Sequence, residues 1–298
     1  MKAEGTPPHF VVVGDAMVDY TISLSGDAWA EEKSTVLASH RGLGGTGANA
    51  AATLRLLGGS VELFAAVSDD AWGAWIAEQL SNTRIGTGRL TYVRGAVPHA
   101  TIVLVDTGER RVWVDRGVAD RSPIPSRADL NAAAAVYVSN PVATLRDLQA
   151  PDGTTLVVGV EHQMVEALSP EDLAKASLLI TNAAGWPALR SLDVRVPILE
   201  TRGTDGVRIH WDTGAVVDVA ADPVETADAT GAGDAFAGAF CWYYSRPMSL
   251  IEAVGRAGIV GSLAAATAGS HLTRLDPADV ERRWSARKSS AVQRRHQG

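Results

Sequence analysis

Cysteine is almost absent. Cys241 stands alone in 298 residues, and one thiol cannot form an internal disulfide, so a reducing, cytoplasmic setting is expected. Its neighbours Phe240 and Trp242 mark it as a small buried residue rather than a nucleophile. Long hydrophobic runs are missing too. A stretch such as Ala132–Val138 falls far short of the ~20 residues of a spanning helix, and Met1–His9 lacks the apolar region of a signal peptide. No lysine occurs between Lys33 and Lys175, and no Gly-Lys-Ser/Thr occurs at all, which excludes a Walker-type phosphate loop. The histidines show no paired spacing and no Gly-x-Ser-x-Gly is present, so neither a metal cluster nor a nucleophile elbow is expected. The net charge of −7 gives no general attraction to nucleic acid or to an anionic membrane. Only the C-terminus is basic, with Arg282, Arg283, Arg287, Lys288, Arg294 and Arg295. Residues 285–298 are expected to form a flexible tail.

What is present points to one α/β domain over 1–298, with 46% hydrophobic residues and no linker rich enough to split it. Phe10-Val-Val-Val-Gly14 predicts a buried first strand. Residues 17–41 predict exposed strands, and Asn49–Leu57 a helix stopped by Gly58-Gly59. Val61–Val67 predicts a strand, and Ser68-Asp-Asp caps a helix over Ala71–Leu80. Thr91–Arg94, Ala100–Asp106 and Arg110–Asp115 predict a meander turning at Thr107-Gly108-Glu109. Short apolar strands then follow at Ala135–Ser139, Thr155–Val160, Leu178–Thr181 and Pro197–Thr201, alternating with helical segments. That alternation predicts a mostly parallel sheet covered by helices, with the early strands projecting as a small separate sheet.

The most informative stretch is Thr226-Ala-Asp-Ala-Thr-Gly-Ala-Gly-Asp-Ala-Phe-Ala-Gly-Ala-Phe240. A small Gly231-Ala232-Gly233 turn precedes a helix with Asp234 in its first turn. Unpaired N–H groups at a helix start suit an anion such as phosphate. A carboxylate beside that anion makes sense if it takes a proton from a hydroxyl attacking the phosphate. Arg41–Asn49 contains Gly-x-Gly-x-x-Gly. It lies some thirty residues after the first strand, and Glu62 falls at the wrong end of the next, so it does not fit dinucleotide binding. A tight turn, or close backbone approach to a polyhydroxylated ligand with Asn49 as donor and acceptor, fits better.

With these segments together the chain resembles a ribokinase-type (PfkB-type) carbohydrate kinase, from about residue 10 to about residue 280. Asp228-Ala-Thr-Gly-Ala-Gly-Asp234 resembles the family's C-terminal signature, Gly44-Gly-Thr-Gly-Ala-Asn49 its N-terminal partner, Gly14–Asp19 its first-strand motif, and Thr201-Arg-Gly203-Thr-Asp-Gly206 its nucleotide loop. The resemblance implies a ribokinase-like three-layer sandwich whose lid draws on about 17–41 and 91–115 and can also pair subunits into a homodimer. It implies ATP-dependent phosphorylation of a hydroxyl of a sugar or sugar-like molecule, with Mg²⁺ and, in some members, K⁺. Asp234 would be the base and Gly231, Ala232 and Gly233 the anion hole, where one donor is typically worth ~3 kcal/mol. Asp19, Gly44, Gly45 and Asn49 would bind substrate, and Asn182, Thr201, Gly203 and Gly206 the nucleotide. Asp228 and Thr230 would hold a monovalent cation, with Ala264, Gly269 and Thr273 as weaker matches.

Three departures stand out. The family's Asn-x-x-Glu is Asn182-Ala-Ala-Gly185 here, without the glutamate that serves Mg²⁺. Thr46 and Met17 replace the lysine and asparagine of ribokinase itself, so ribose is not the default substrate. Glu161-His162 and Asp115-Arg116 fall near the site, and Arg116 or Arg94 could meet an acidic sugar or be solvated. A nucleoside kinase with an aromatic or apolar lid wall, and a catalytically impaired binding protein, are the alternatives. Trp72 and Trp75 are expected to pack a helix rather than stack a base.

Overall fold

The computed structural model describes residues 6–24, 33–105, 110–267 and 272–295. In chain order the strands are β1 (His9–Val13), β2 (Met17–Leu24), β3 (Val36–Gly44), β4 (Ser60–Ser68), β5 (Leu90–Val93), β6 (His99–Val105), β7 (Arg110–Asp115), β8 (Ala135–Val138), β9 (Leu156–Gly159), β10 (Leu178–Asn182), β11 (Ile198–Thr201), β12 (Val207–His210) and β13 (Val216–Val219). The helices are α1 (Thr46–Leu56), α2 (Ala71–Asn82), α3 (Arg127–Leu130), α4 (Pro141–Thr144), α5 (Pro170–Leu173), α6 (Trp186–Leu189), α7 (Ala232–Tyr244), α8 (Leu250–Ala265) and α9 (Pro277–Arg295).

β1 is apolar at nearly every position because both its faces are covered. Phe10 and Val12 enter one core with α1, α7 and α8, while Val11 and Val13 enter another with Leu130, Leu145, Leu173 and Leu189. The result is a three-layer α/β sandwich. Its sheet has the order β13-β12-β11-β10-β9-β8-β1-β4-β5, parallel from β5 to β11, with β12 and β13 antiparallel. The chain runs from β1 towards β4 and β5, then crosses back to β8, so β1 and β8 flank the topological switch point. Ligands of open α/β sheets bind beyond the carboxyl ends of strands at such a point.

A separate sheet of order β3-β2-β6-β7 forms the lid. Two expectations are corrected here. Leu90–Val93 is not a lid strand: β5 returns from α2 and pairs parallel to β4, from Ala65↔Leu90 to Ser68↔Val93. A strand that follows a helix closes a βαβ unit and rejoins its sheet. The lid is also no simple meander, because β2 and β6 pair in parallel, from Val18↔His99 to Leu24↔Val105. Both leave the carboxyl edge of the main sheet, one after β1 and one after β5, and so point the same way. The predicted turn at 107–109 lies outside the described residues. At the C-terminus α9 continues to Arg295, so 285–295 is helical, and Arg287 bonds the Ala220 carbonyl.

α1 and α7 pack closely because their contact is made of small residues. A Cβ on Gly238 would lie 2.4 Å from the Ala50 carbonyl oxygen, and Ala48, Ala51 and Ala52 complete a buried small face on α1. The obstacle is backbone, which cannot rotate away. Gly238→Ala should therefore destabilise the fold by about 1–3 kcal/mol through overpacking, read as a lower urea midpoint with an unchanged slope.

Candidate active site

Two cavities open at the carboxyl edge of the sheet and meet at the start of α7. The first, of about 680 Å³, is lined by Asp15, Asp19, Gly45, Thr46, Asn49, Asn140, Glu161, Thr230, Gly231 and Asp234, under the lid residues Ala100, Ile102, Val112 and Val114. The second, of about 840 Å³, is lined by Asn182, Thr201, Gly203, Gly206, Ala229, Ala232, Gly233 and residues of α8. The turn Gly231–Asp234 thus contributes to both.

Gly231 adopts the left-handed region at φ 74° and occupies the N-cap of α7. The N–H of Ala232 reaches Ala229 O and that of Ala235 reaches Gly231 O, while those of Gly233 and Asp234 have no backbone acceptor among the described residues. Free donors at a helix start form an anion site. Asp234 accepts a hydrogen bond from Asn49 Nδ2 at 2.9 Å. The protein encloses Asp234 except where it opens onto the first cavity. That burial, opposed by the Asn49 hydrogen bond and reinforced by the charges of Glu161, Asp19 and Asp15, raises its pKa to about 7.

Asp19 is 5% exposed. Its carboxyl group occupies the space a side chain on Gly44 would need, 2.0 Å from an ideal Cβ. Gly45, at φ 95°, leaves room for the Asp15 carbonyl, 2.6 Å from where its Cβ would lie. Across the lid, Gly42, Asp19, Ala100 and Val114 form one row of paired residues. On the other side, Asn182 and Thr201 are register partners at the ends of β10 and β11. Gly206, at φ 88°, turns the loop where a Cβ would meet Val219 O at 2.2 Å.

The pfkB family carbohydrate kinase profile matches residues 8–168 and 194–276. This chain belongs to that family. It is a phosphotransferase by that membership. The ATP-dependent ribose-1-phosphate kinase of Halopiger xanaduensis is 25% identical over 278 residues, 85% of this chain and 90% of that relative. A ribokinase of Arabidopsis thaliana, solved with ribose and ATP, superposes with a TM-score of 0.75 at 21% identity, covering 94% of this chain and 99% of that one. A nucleoside kinase of Burkholderia thailandensis, solved with inosine, gives 0.77 at 17% identity, covering 93% and 97%. At those identities the two structures establish the ribokinase-like fold.

This family member departs from the pattern after Asn182. Asn182 Oδ1 accepts the Gly185 N–H at 2.9 Å, and a Cβ on Gly185 would lie 2.4 Å from Thr181 Oγ1. A glutamate there would have to displace the Thr181 hydroxyl. Among the described residues, the acidic one lining the second cavity is Asp222, paired with Arg283 at 2.7 Å. Its cation is Arg202, paired with Asp218 at 3.1 Å. The remaining carboxylates near the turn line the first cavity: Asp15, Asp19, Asp120, Glu161 and Asp234. Asp228 Oδ1 accepts the N–H and hydroxyl of Thr230 at 2.9 and 2.6 Å, and Ala265 O already receives two backbone N–H groups. Thr273 is exposed, and Gly269 lies outside the described residues. Sequence reasoning did not give Asp15 or Asp120 a role, and Arg116, partly exposed, is paired with both at the cavity wall. Trp72 and Trp75 pack edge to face with each other and line neither cavity.

The raised pKa of Asp234 has a stability consequence of definite sign. A carboxyl group that is more readily protonated folded than unfolded costs stability as pH rises towards its folded value. Asp234→Asn mimics the protonated acid. Between pH 5 and pH 8 its stability should gain on the wild type by about 2–3 kcal/mol, measured by urea denaturation at each pH. A constant difference would mean an ordinary carboxylate.

Proposed function

We propose that this protein transfers the γ-phosphoryl group of ATP to a hydroxyl of a sugar or nucleoside held in the first cavity. The observation that carries this reading is the turn Gly231–Asp234, which forms a wall of both cavities. ATP in the second would place its terminal phosphate against free N–H groups, and an acceptor hydroxyl in the first would reach Asp234. The carboxylate of Asp234 takes the hydroxyl proton as the oxygen attacks phosphorus, and ADP leaves on the far side. The Gly231, Ala232 and Gly233 turn carries the charge on the moving group, in place of the absent Walker lysine. Asp19, Gly44, Gly45 and Asn49 orient the acceptor, and Asn182, Thr201, Gly203 and Gly206 hold the nucleotide.

Mg²⁺, when bound with ATP, neutralises charge between the β and γ phosphates. Glu161, which lines the first cavity, would be the side chain to hold it. Asp228 and Thr230 remain the proposed monovalent-cation position. The lid supports a nucleoside as second reading of the acceptor. Ile102 and Val112, and Ala100 and Val114, are cross-strand pairs that give an apolar wall above the carboxylates. Val36 and Leu37 on the lid edge β3 are more than half exposed, and a homodimer through that edge would cover them.

A panel of sugars and nucleosides in an ADP-release assay tests the reading. Asp234→Asn should lower turnover on the best acceptor by ~10²–10⁴. In the wild type, kcat/KM should rise with pH through about 7, since the base acts only when ionised. Asn49→Ala should move that limb to higher pH, because its hydrogen bond favours the charged form. ADP release untouched in Asp234→Asn would remove Asp234 as the base.

A further inference from the structure

Among the described residues one cation lines the first cavity, against five carboxylates: Arg116 against Asp15, Asp19, Asp120, Glu161 and Asp234. Arg116 follows β7, where the lid meets the body. Three of its five N–H groups bond two protein carboxylates. Nη1 and Nη2 donate to the two oxygens of Asp15 at 3.2 and 3.3 Å, and Nε donates to Asp120 Oδ1 at 2.7 Å. Asn140 Nδ2 steadies Asp120 from the β8 side at 3.2 Å. Asp15 cannot swing away. Its side chain is 4% exposed, and its backbone is locked in the glycine turn, with its carbonyl accepting the Ala48 N–H at 2.9 Å.

A guanidinium is the usual receptor for phosphate or carboxylate. Here two carboxylates already occupy it, so an incoming anion meets a group whose net charge is negative. We infer that Asp15 and Asp120 mask Arg116, and that this masking makes the first cavity select uncharged acceptors over phosphorylated or carboxylated ones. The inference rests on the first cavity being the acceptor site. It gives Arg116 a different task, tying the lid to the end of β1, and makes Asp15 a specificity-determining residue. It also separates this chain in chemistry from a kinase whose acceptor is a sugar phosphate.

The test is calorimetric titration of ribose and ribose 1-phosphate, without ATP, into the wild type, Asp15→Asn and Asp120→Asn. The wild type should bind the phosphate ester no more tightly than ribose. Each variant removes one negative charge beside Arg116 and should bind the ester about tenfold more tightly than the wild type. Adding Arg116→Gln to Asp120→Asn should abolish that gain. Asp120 is 57% exposed in its side chain, so its variant keeps the fold even if Asp15→Asn does not. A wild type that prefers the ester, or variants that bind it no better than the wild type, at any level including none, overturn the inference. ADP release is measured separately. Its absence with every acceptor would refute the kinase reading while the binding comparison still decides the masking.

Discussion

The hydrogen bond from Asn49 to Asp234 joins residues 185 positions apart, and the two cavities depend on it. Each residue stands in the first turn of a helix that begins at a glycine turn, α1 after Gly45 and α7 after Gly231. The bond forms only because α1 and α7 approach at small residues, with Gly238 against Ala50. Helices spread by a methyl group would carry Asn49 away from Asp234 and open the wall between the cavities. The small residues of α7 are thus set by its neighbour as much as by its ligand.

The two cavities differ in electrostatic character, and the difference follows from their partners. Acid groups crowd the first cavity, and the charges of Glu161, Asp19 and Asp15 add to the burial that raises the pKa of Asp234. Burial alone would push such groups towards neutrality, and Asp15 is pushed that way, opposed chiefly by Arg116. The second cavity has its charged lining residues already paired. What remains to meet a polyphosphate is backbone, and the N-terminus of α7 supplies it.

The motifs legible in the sequence are those whose chemistry is local. Gly231-Ala-Gly-Asp234 is a turn and a helix start within four residues, and Gly44-Gly-Thr-Gly-Ala-Asn49 is the same kind of unit. The strands were legible because buried parallel strands are apolar at nearly every position, as in β1 and β8. Partnership across long separations was not. Nothing near Leu90–Val93 says that it pairs with β4 rather than with β6, since a four-residue apolar strand suits either sheet. Arg116 and Asp15 lie 101 positions apart, and neither neighbourhood names the other. The helix through 285–295 was hidden by its charge: arginines look like a solvated tail until Arg283 finds the buried Asp222.

Gly185 shows how one departure from a family pattern can be bound to another feature of the same site. Thr181 Oγ1 fills the space beside it and donates to Val160 O at 2.8 Å. A Cβ at 185 would also lie 3.4 Å from that oxygen and 3.3 Å from the His162 nitrogen, and Glu161 stands between those two residues. The loop after β10 therefore packs directly against the strand end that presents Glu161 to the first cavity. A glutamate at 185 would have to displace Thr181 and, through it, the end of β9. The glycine at 185 thus lets this loop sit against the strand end from which Glu161 reaches the first cavity.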